Sequence, residues 1–210
     1  MRRRYLLAFG AGAIGAGCCL PGSPLLAQAA PTRHPLWRVW EAWRGAHLGV
    51  SGRVIDRPQN DASHSEGQGY GMLLAAEMGD EDAFRRMLEW TDRNLAIRSD
   101  NLLAWRWQPQ LPERVPDLNN ASDGDLFFAW ALLRGADRFG FAPWRDRAAA
   151  LAGDLARTCV APRPDRTEVP ILLPAEFGFA SDTGVVVNPS YMMPRALHEV
   201  AAATGQPALA

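Results

Sequence analysis

The chain has 210 residues, and its 22 basic residues, all Arg, stand against 23 acidic ones for a formal net charge of −1. That balance excludes the basic patch of a nucleic-acid binder. A hydrophobic share of 48% with 8 Trp and 8 Phe excludes a disordered chain, and the length suits one domain.

Residues 1–29 are predicted to be an export signal. Arg2-Arg3-Arg4 is followed by an apolar, small-residue run from Tyr5 to Leu20, and Ala27-Gln28-Ala29 has the form of a cleavage site. The Arg-Arg-x-Tyr-Leu-Leu order also fits a twin-arginine signal, so both export routes stay open. Cleavage leaves residues 30–210 with a net charge of −4 and a periplasmic or secreted location. No later run reaches the roughly 18 apolar residues of a membrane span, so no span is expected after cleavage. Cys18 and Cys19 fall in the signal, which leaves Cys159 without a disulfide partner. It reads as a small buried hydrophobe, because no cysteine–histidine signature surrounds it.

Six helices are predicted in the remainder. Residues 35–48 place Leu36, Val39, Trp40, Trp43 and His47 at helical spacing. Residues 65–79 open on Ser65 as a cap and stop at Gly79. Residues 80–96 set Phe84, Met87, Leu88, Thr91 and Leu95 on one face. Residues 122–140 begin with a capping box, Ser122 with Asp125, and end at Gly140. Residues 143–160 turn Ala149, Leu151, Leu155 and Ala156 inward, and residues 189–204 are interrupted by Pro194. The pattern is all-α, roughly three antiparallel pairs. Loops 49–64, 98–121 and 161–188 each lead into a helix start and should gather at one end. Ile171–Leu173 and Val185–Val187 are candidate short strands. Nothing in residues 204–210 looks like the cap that a terminal helical pair needs, which suggests a partial copy of something larger.

Two stretches carry candidate chemistry. In His64-Ser65-Glu66-Gly67-Gln68-Gly69-Tyr70-Gly71-Met72, Glu66 lies in the first turn of a helix. Three glycines spaced by two cost about 1 kcal/mol each there relative to Ala, so something must require a close backbone approach. Tight helix packing with Glu66 facing the helix dipole is one reading, and a site is the other. In Asn119-Asn120-Ala121-Ser122-Asp123-Gly124-Asp125, the capping box occupies Asp125 and leaves Asp123 free to face what the loops enclose. Two carboxylates at helix starts, with Trp105 and Trp107 between them in sequence, suit a sugar site. Aromatic faces stack on pyranose rings, and paired carboxylates run glycoside hydrolysis. Core packing is the other reading of either Trp. The four His show no ligand spacing, and neither a metal site nor a cofactor is implied.

At these residues the sequence resembles glycoside hydrolase family 8, and within it the periplasmic endo-β-1,4-glucanases encoded with bacterial cellulose synthases. The resemblance rests on Gly52–Asp56, Ser65–Met72, Leu88–Thr91, Ala104–Trp107, Ala121–Leu133 and Asn188–Tyr191, in the family's order. Phe128 and Gly135 depart from the pattern in ways that look like packing changes. The resemblance implies an (α/α)6 barrel, of which these six helices make about half of twelve. It implies an inverting mechanism on β-1,4-glucan and an association with the cellulose synthase complex. Glu66 matches the general acid, Asp123 the aspartate at the cleavage subsite, and Tyr191 a tyrosine of that subsite. Trp105 and Trp107 match an aromatic cleft wall, with Tyr70 a further cleft residue. The catalytic base is expected beyond residue 210. The alternative is a truncated glucan-binding or assembly protein without turnover. To act as the acid, Glu66 must hold a proton near neutral pH. The helix start opposes this, so desolvation and repulsion from Asp123 have to prevail.

Overall fold

In the computed structural model, residues 33–163 and 166–210 are described. The expected export signal lies outside them. The helices are α1 (Trp37–His47), α2 (Ser65–Met78), α3 (Glu81–Asn94), α4 (Ser122–Phe139), α5 (Pro143–Thr158) and α6 (Pro194–Thr204). Three two-stranded antiparallel ribbons join them: β1 (Ser63–His64) with β2 (Arg106–Trp107), β3 (Val160–Arg163) with β4 (Arg166–Leu172), and β5 (Ala180–Ser181) with β6 (Gly184–Val185).

α4 packs on both α2 and α6, while α3 lies on α2 and α5 on α4 and α6. α4 is buried along most of its length, from Ser122 to Ala136. α3 buries Ala83, Phe84, Met87, Leu88, Trp90 and Thr91 and shows a charged outer face, laced by the Arg85–Glu81, Arg86–Asp82 and Arg93–Glu89 pairs at i,i+4. The helix stops are backbone devices: Gly79 (φ 74°) and Gly140 (φ 72°) adopt the left-handed conformation that non-glycine residues resist.

α2 and α4 run side by side in parallel, with their N-termini together. A Cβ on Gly124 would lie 2.1 Å from Ser65 Oγ, and one on Gly69 would lie 2.8 Å from Phe127 Cβ. Gly71 faces Met87 and Trp43 at 2.6 and 2.9 Å. Two of the three spaced glycines therefore admit a neighbouring element. Gly67 sits at an ordinary 3.5 Å from Val54. Gly135 makes room for the Phe84 ring, 2.4 Å from where its Cβ would be, and Phe128 is fully buried. Both residues serve packing.

Several expectations need correction. The Ser122–Asp125 capping box does not form. The N-cap of α4 is Ala121, and Ser122 Oγ donates to the Leu173 carbonyl 2.6 Å away. Ser65 likewise sits inside α2, with His64 at the cap position. On α1, Trp40 is buried but Leu36 and Val39 are 55% and 65% exposed. On α5 the inward set is Trp144, Ala148, Leu151, Ala152 and Leu155, so Ala149 and Ala156 sit at its margin. The segment from Pro189 is a 3-10 turn capped by Asn188, and Pro194 starts α6 as its first residue instead of interrupting it. The third loop contains the β3–β4 ribbon, which takes in Ile171 and Leu172. Near residue 210, a 3-10 turn over Pro207–Leu209 buries Leu209.

Candidate active site

The three loops do converge. β1 pairs with β2 in the register Ser63↔Trp107 and His64↔Arg106. The Ser65 N–H donates to the Trp105 carbonyl, the Trp105 N–H to Asn119, and the Ser122 N–H to Pro174. The first two loops frame a cleft of about 680 Å³ at the start of α2 and α4.

Glu66, Tyr70, Trp105, Asp123 and Tyr191 all line this cleft. Glu66 and Asp123 each occupy the second residue of a helix, so the packing of α2 against α4 fixes their spacing. Asp123 is buried, and one of its oxygens accepts the Gly124 N–H at 2.7 Å. Burial first, and the Glu66 charge second, push the Asp123 carboxyl up to about 7, against the pull of the Gly124 and Asp123 amides. Tyr70, one turn beyond Glu66, packs on Phe127 with ring centroids 4.0 Å apart. The Tyr70 and Tyr191 hydroxyls are both pushed up to about 12, by burial and by the two carboxylates. Both phenols are therefore neutral donors facing the acids.

Trp105 is half-buried. Its Nε1 donates to Asp117 at 2.9 Å, and its face stacks on His64, 5.9 Å between centroids and 28° between planes. Trp107 is not brought to this cleft. It packs edge-on against Trp90, with the Arg53 and Arg114 guanidiniums 4.8 and 5.6 Å from its ring centroid. Its expected place in the cleft wall is accordingly replaced by a packing role.

The cleft also holds residues that sequence reasoning left out: Asp56, His64, Trp43 and His47. Asp56 accepts from Gln59 and lies 3.7 Å from His64 Nδ1. Burial and the nearby Arg106 pull the His64 pKa down, against Asp56, so the imidazole is neutral near pH 7. Both had a signal, since Asp56 ends one family-like stretch and His64 directly precedes another. Among the described residues, no group of three or more His, Cys, Asp or Glu is placed to hold a metal ion.

A cleft with three carboxylates, an aromatic platform and two neutral phenols suits a carbohydrate, and comparison with known proteins agrees. The family model described as Glycosyl hydrolases family 8 matches residues 22–209. The chain belongs to glycosyl hydrolase family 8. It is 38% identical over 172 residues to a probable endoglucanase of Novacetimonas hansenii, covering 81% of this chain and 49% of that one. It is 39% identical over 198 residues to an endoglucanase of Xanthomonas axonopodis pv. citri, covering 91% and 50%. The structure of the endo-β-1,4-glucanase CMCax from Acetobacter xylinum superposes with a TM-score of 0.76 at 37% identity, over 82% of this chain and 53% of that one. The chain therefore spans about half the length of these relatives, and its six helices supply about half of a family 8 (α/α)6 barrel.

Proposed function

We propose that this chain carries the acid side of an inverting endo-β-1,4-glucanase site that acts on cellulose-type glucan. The observation that carries the proposal is the pairing of Glu66 and Asp123. Two parallel helix starts present both carboxylates to one cleft, close enough for the Glu66 charge to raise Asp123. The endoglucanase names of the relatives from Cellulomonas uda, Novacetimonas hansenii and Xanthomonas axonopodis pv. citri support the substrate class. In the proposed chemistry a pyranose ring stacks on Trp105 and the glycosidic oxygen faces Glu66. Glu66 protonates that oxygen as the bond breaks, and a base activates water on the opposite face of the sugar. Asp123, its carboxyl held well above the usual carboxylate range, hydrogen-bonds a hydroxyl of the sugar at the cleavage point as donor or acceptor. Tyr70 and Tyr191 donate alongside it.

The proposed place of work is the periplasm or the exterior, on the pattern of residues 1–29. The cellulose synthase complex is proposed as a partner on the likeness of the motifs to enzymes encoded beside it.

The test is reducing-end release from carboxymethyl-cellulose, together with cellotetraose affinity, for the chain and its Glu66→Gln variant. With the base in place, the expected outcome is a loss of turnover of about 10²-fold or more with affinity little changed, the scale of losing one general acid. Unchanged turnover, or joint loss of fold and binding, contradicts it. A second reading, glucan binding without turnover, is favoured by Asp56. It is the third carboxylate of the cleft, and Gln59 and His64 already engage it. Binding by both forms with no release by either selects that reading.

A further inference from the structure

Asp125 is the fully buried carboxylate of α4 for which the proposed chemistry has no use. One of its oxygens accepts the Leu103 N–H at 2.8 Å, and the other accepts from Asn120 Nδ2 at 2.8 Å. The Asn120 amide is used on all sides. Its Oδ1 accepts the Glu176 N–H at 2.7 Å, and its Nδ2 also donates to Cys159 Sγ at 3.2 Å. Three backbone stretches, at residues 103, 120 and 176, thus hang on one carboxylate–amide pair within a turn of Asp123. The ties continue from there into the cleft. Trp105 lies two residues beyond Leu103, its N–H donates to Asn119, and its carbonyl receives the Ser65 N–H beside Glu66.

We propose that the Asp125–Asn120 pair is a positioning device for the cleft: it fixes Trp105, and through Trp105 the start of α2, relative to Asp123. This rests on the reading of the cleft as a glucan site for its consequence, though not for its structural content. Cutting the pair lets the Trp105 strand and the start of α2 move, so the stacking platform and the acid lose their common frame. The pair is also directional. The carboxylate only accepts, and the amide donates to it while accepting elsewhere. Exchanging the two side chains preserves the matching, because an Asn at 125 can donate to an Asp at 120, which still accepts from Glu176 N–H.

The test compares Asp125→Asn, Asn120→Asp and the double exchange D125N/N120D. The readouts are amide hydrogen exchange at Leu103, Trp105 and Ser65, with Leu155 in α5 as reference, and cellotetraose affinity. Each single variant should speed exchange at the three cleft amides by about tenfold or more and weaken cellotetraose to a similar degree, the scale of one broken buried hydrogen bond. Leu155 should not change. The double exchange should return both readouts to near the parent values. Parent-like exchange at Trp105 and Ser65 in the single variants, or a double exchange no better than the singles, overturns the proposal. If a single variant does not fold, the double exchange decides alone: folding with parent-like protection supports the pair, and failure to fold overturns it. If the parent itself does not bind cellotetraose, the glucan reading fails, and the exchange pattern still decides the positioning claim.

Discussion

The starts of α2 and α4 are two versions of one device. Each opens with Ser, an acid and Gly: Ser65-Glu66-Gly67 and Ser122-Asp123-Gly124. Each N-cap residue, His64 or Ala121, is extended and offers no side-chain cap. In each, the second residue faces the cleft and the fourth is a fully buried polar side chain that holds a loop. In α2 that residue is Gln68. It accepts the Val54 N–H and donates to Gly52, Met87 and Thr91. In α4 it is Asp125, bonded to Leu103 and Asn120. The difference lies in charge. Gln68 fastens its loop with a neutral amide at no electrostatic cost. Asp125 does so with a carboxyl that burial pushes up to about 7, against the pull of Asn120 and Leu103. Two buried aspartates, 123 and 125, are therefore under electrostatic strain in α4, while the matching start of α2 has a single acid, the half-buried Glu66. The α4 end gives up stability for an arrangement that serves the cleft, and the α2 end anchors it.

Gly124→Ala should break the comparison most severely. The new Cβ would lie 2.1 Å from Ser65 Oγ and 2.7 Å from the Glu66 nitrogen, so α2 and α4 must separate. A loss of about 3 kcal/mol or more is expected by denaturant unfolding, the upper range for overpacking. Gln68→Leu comes next, at roughly 2–3 kcal/mol, because the Val54 N–H and the Gly52 carbonyl stay buried without their partner.

The third prediction concerns pH. The folded pKa of Asp123, about 7, lies above the unfolded value near 3.9, so the native state binds more protons between these limits. Stability from this group is greatest below about pH 4, falls as pH rises towards 7, and is level above. Asp123→Asn removes that fall, and relative to the parent it should gain roughly 3–4 kcal/mol at pH 8 over its difference at pH 4. A shallower slope from Asp125 remains in the variant, since its carboxyl is raised in the same direction. Equal differences at the two pH values refute the strain on Asp123. The smallest effect is expected for Gly67→Ala, the counterpart of Gly124→Ala. Its Cβ meets only ordinary contact with Val54, so helix propensity should stabilise the chain by up to about 1 kcal/mol. The two glycines occupy the same helix position and should give opposite signs.

Much of this was legible in the chain. α2 to α5 start and stop within about two residues of their predicted limits, because Gly79, Gly140 and Pro143 are local signals whose physics needs no partner. Glu66, Asp123, Trp105, Tyr70 and Tyr191 reach one cleft as the family-like motifs imply. What escaped depends on contacts distant in sequence. Ser122 looked like a cap, but its hydroxyl goes to Leu173, 51 residues on. Asp125 looked like a capping partner, but it holds Leu103 and Asn120 instead. Trp107 shares its period with Trp105, yet the Arg53 and Arg114 cations and the edge of Trp90 hold it in packing. On α1, helical spacing marked a stripe and could not tell which of its residues would be covered.

The most direct test of the central claim is the carboxyl titration of Asp123, followed by NMR in the parent and in Glu66→Gln. Two carboxylates coupled across one cleft predict a midpoint near 7 in the parent and a clear downward shift in the variant, with burial holding the remainder above 3.9. An Asp123 that titrates near 4 in both proteins, or one whose midpoint ignores the loss of the Glu66 charge, contradicts it.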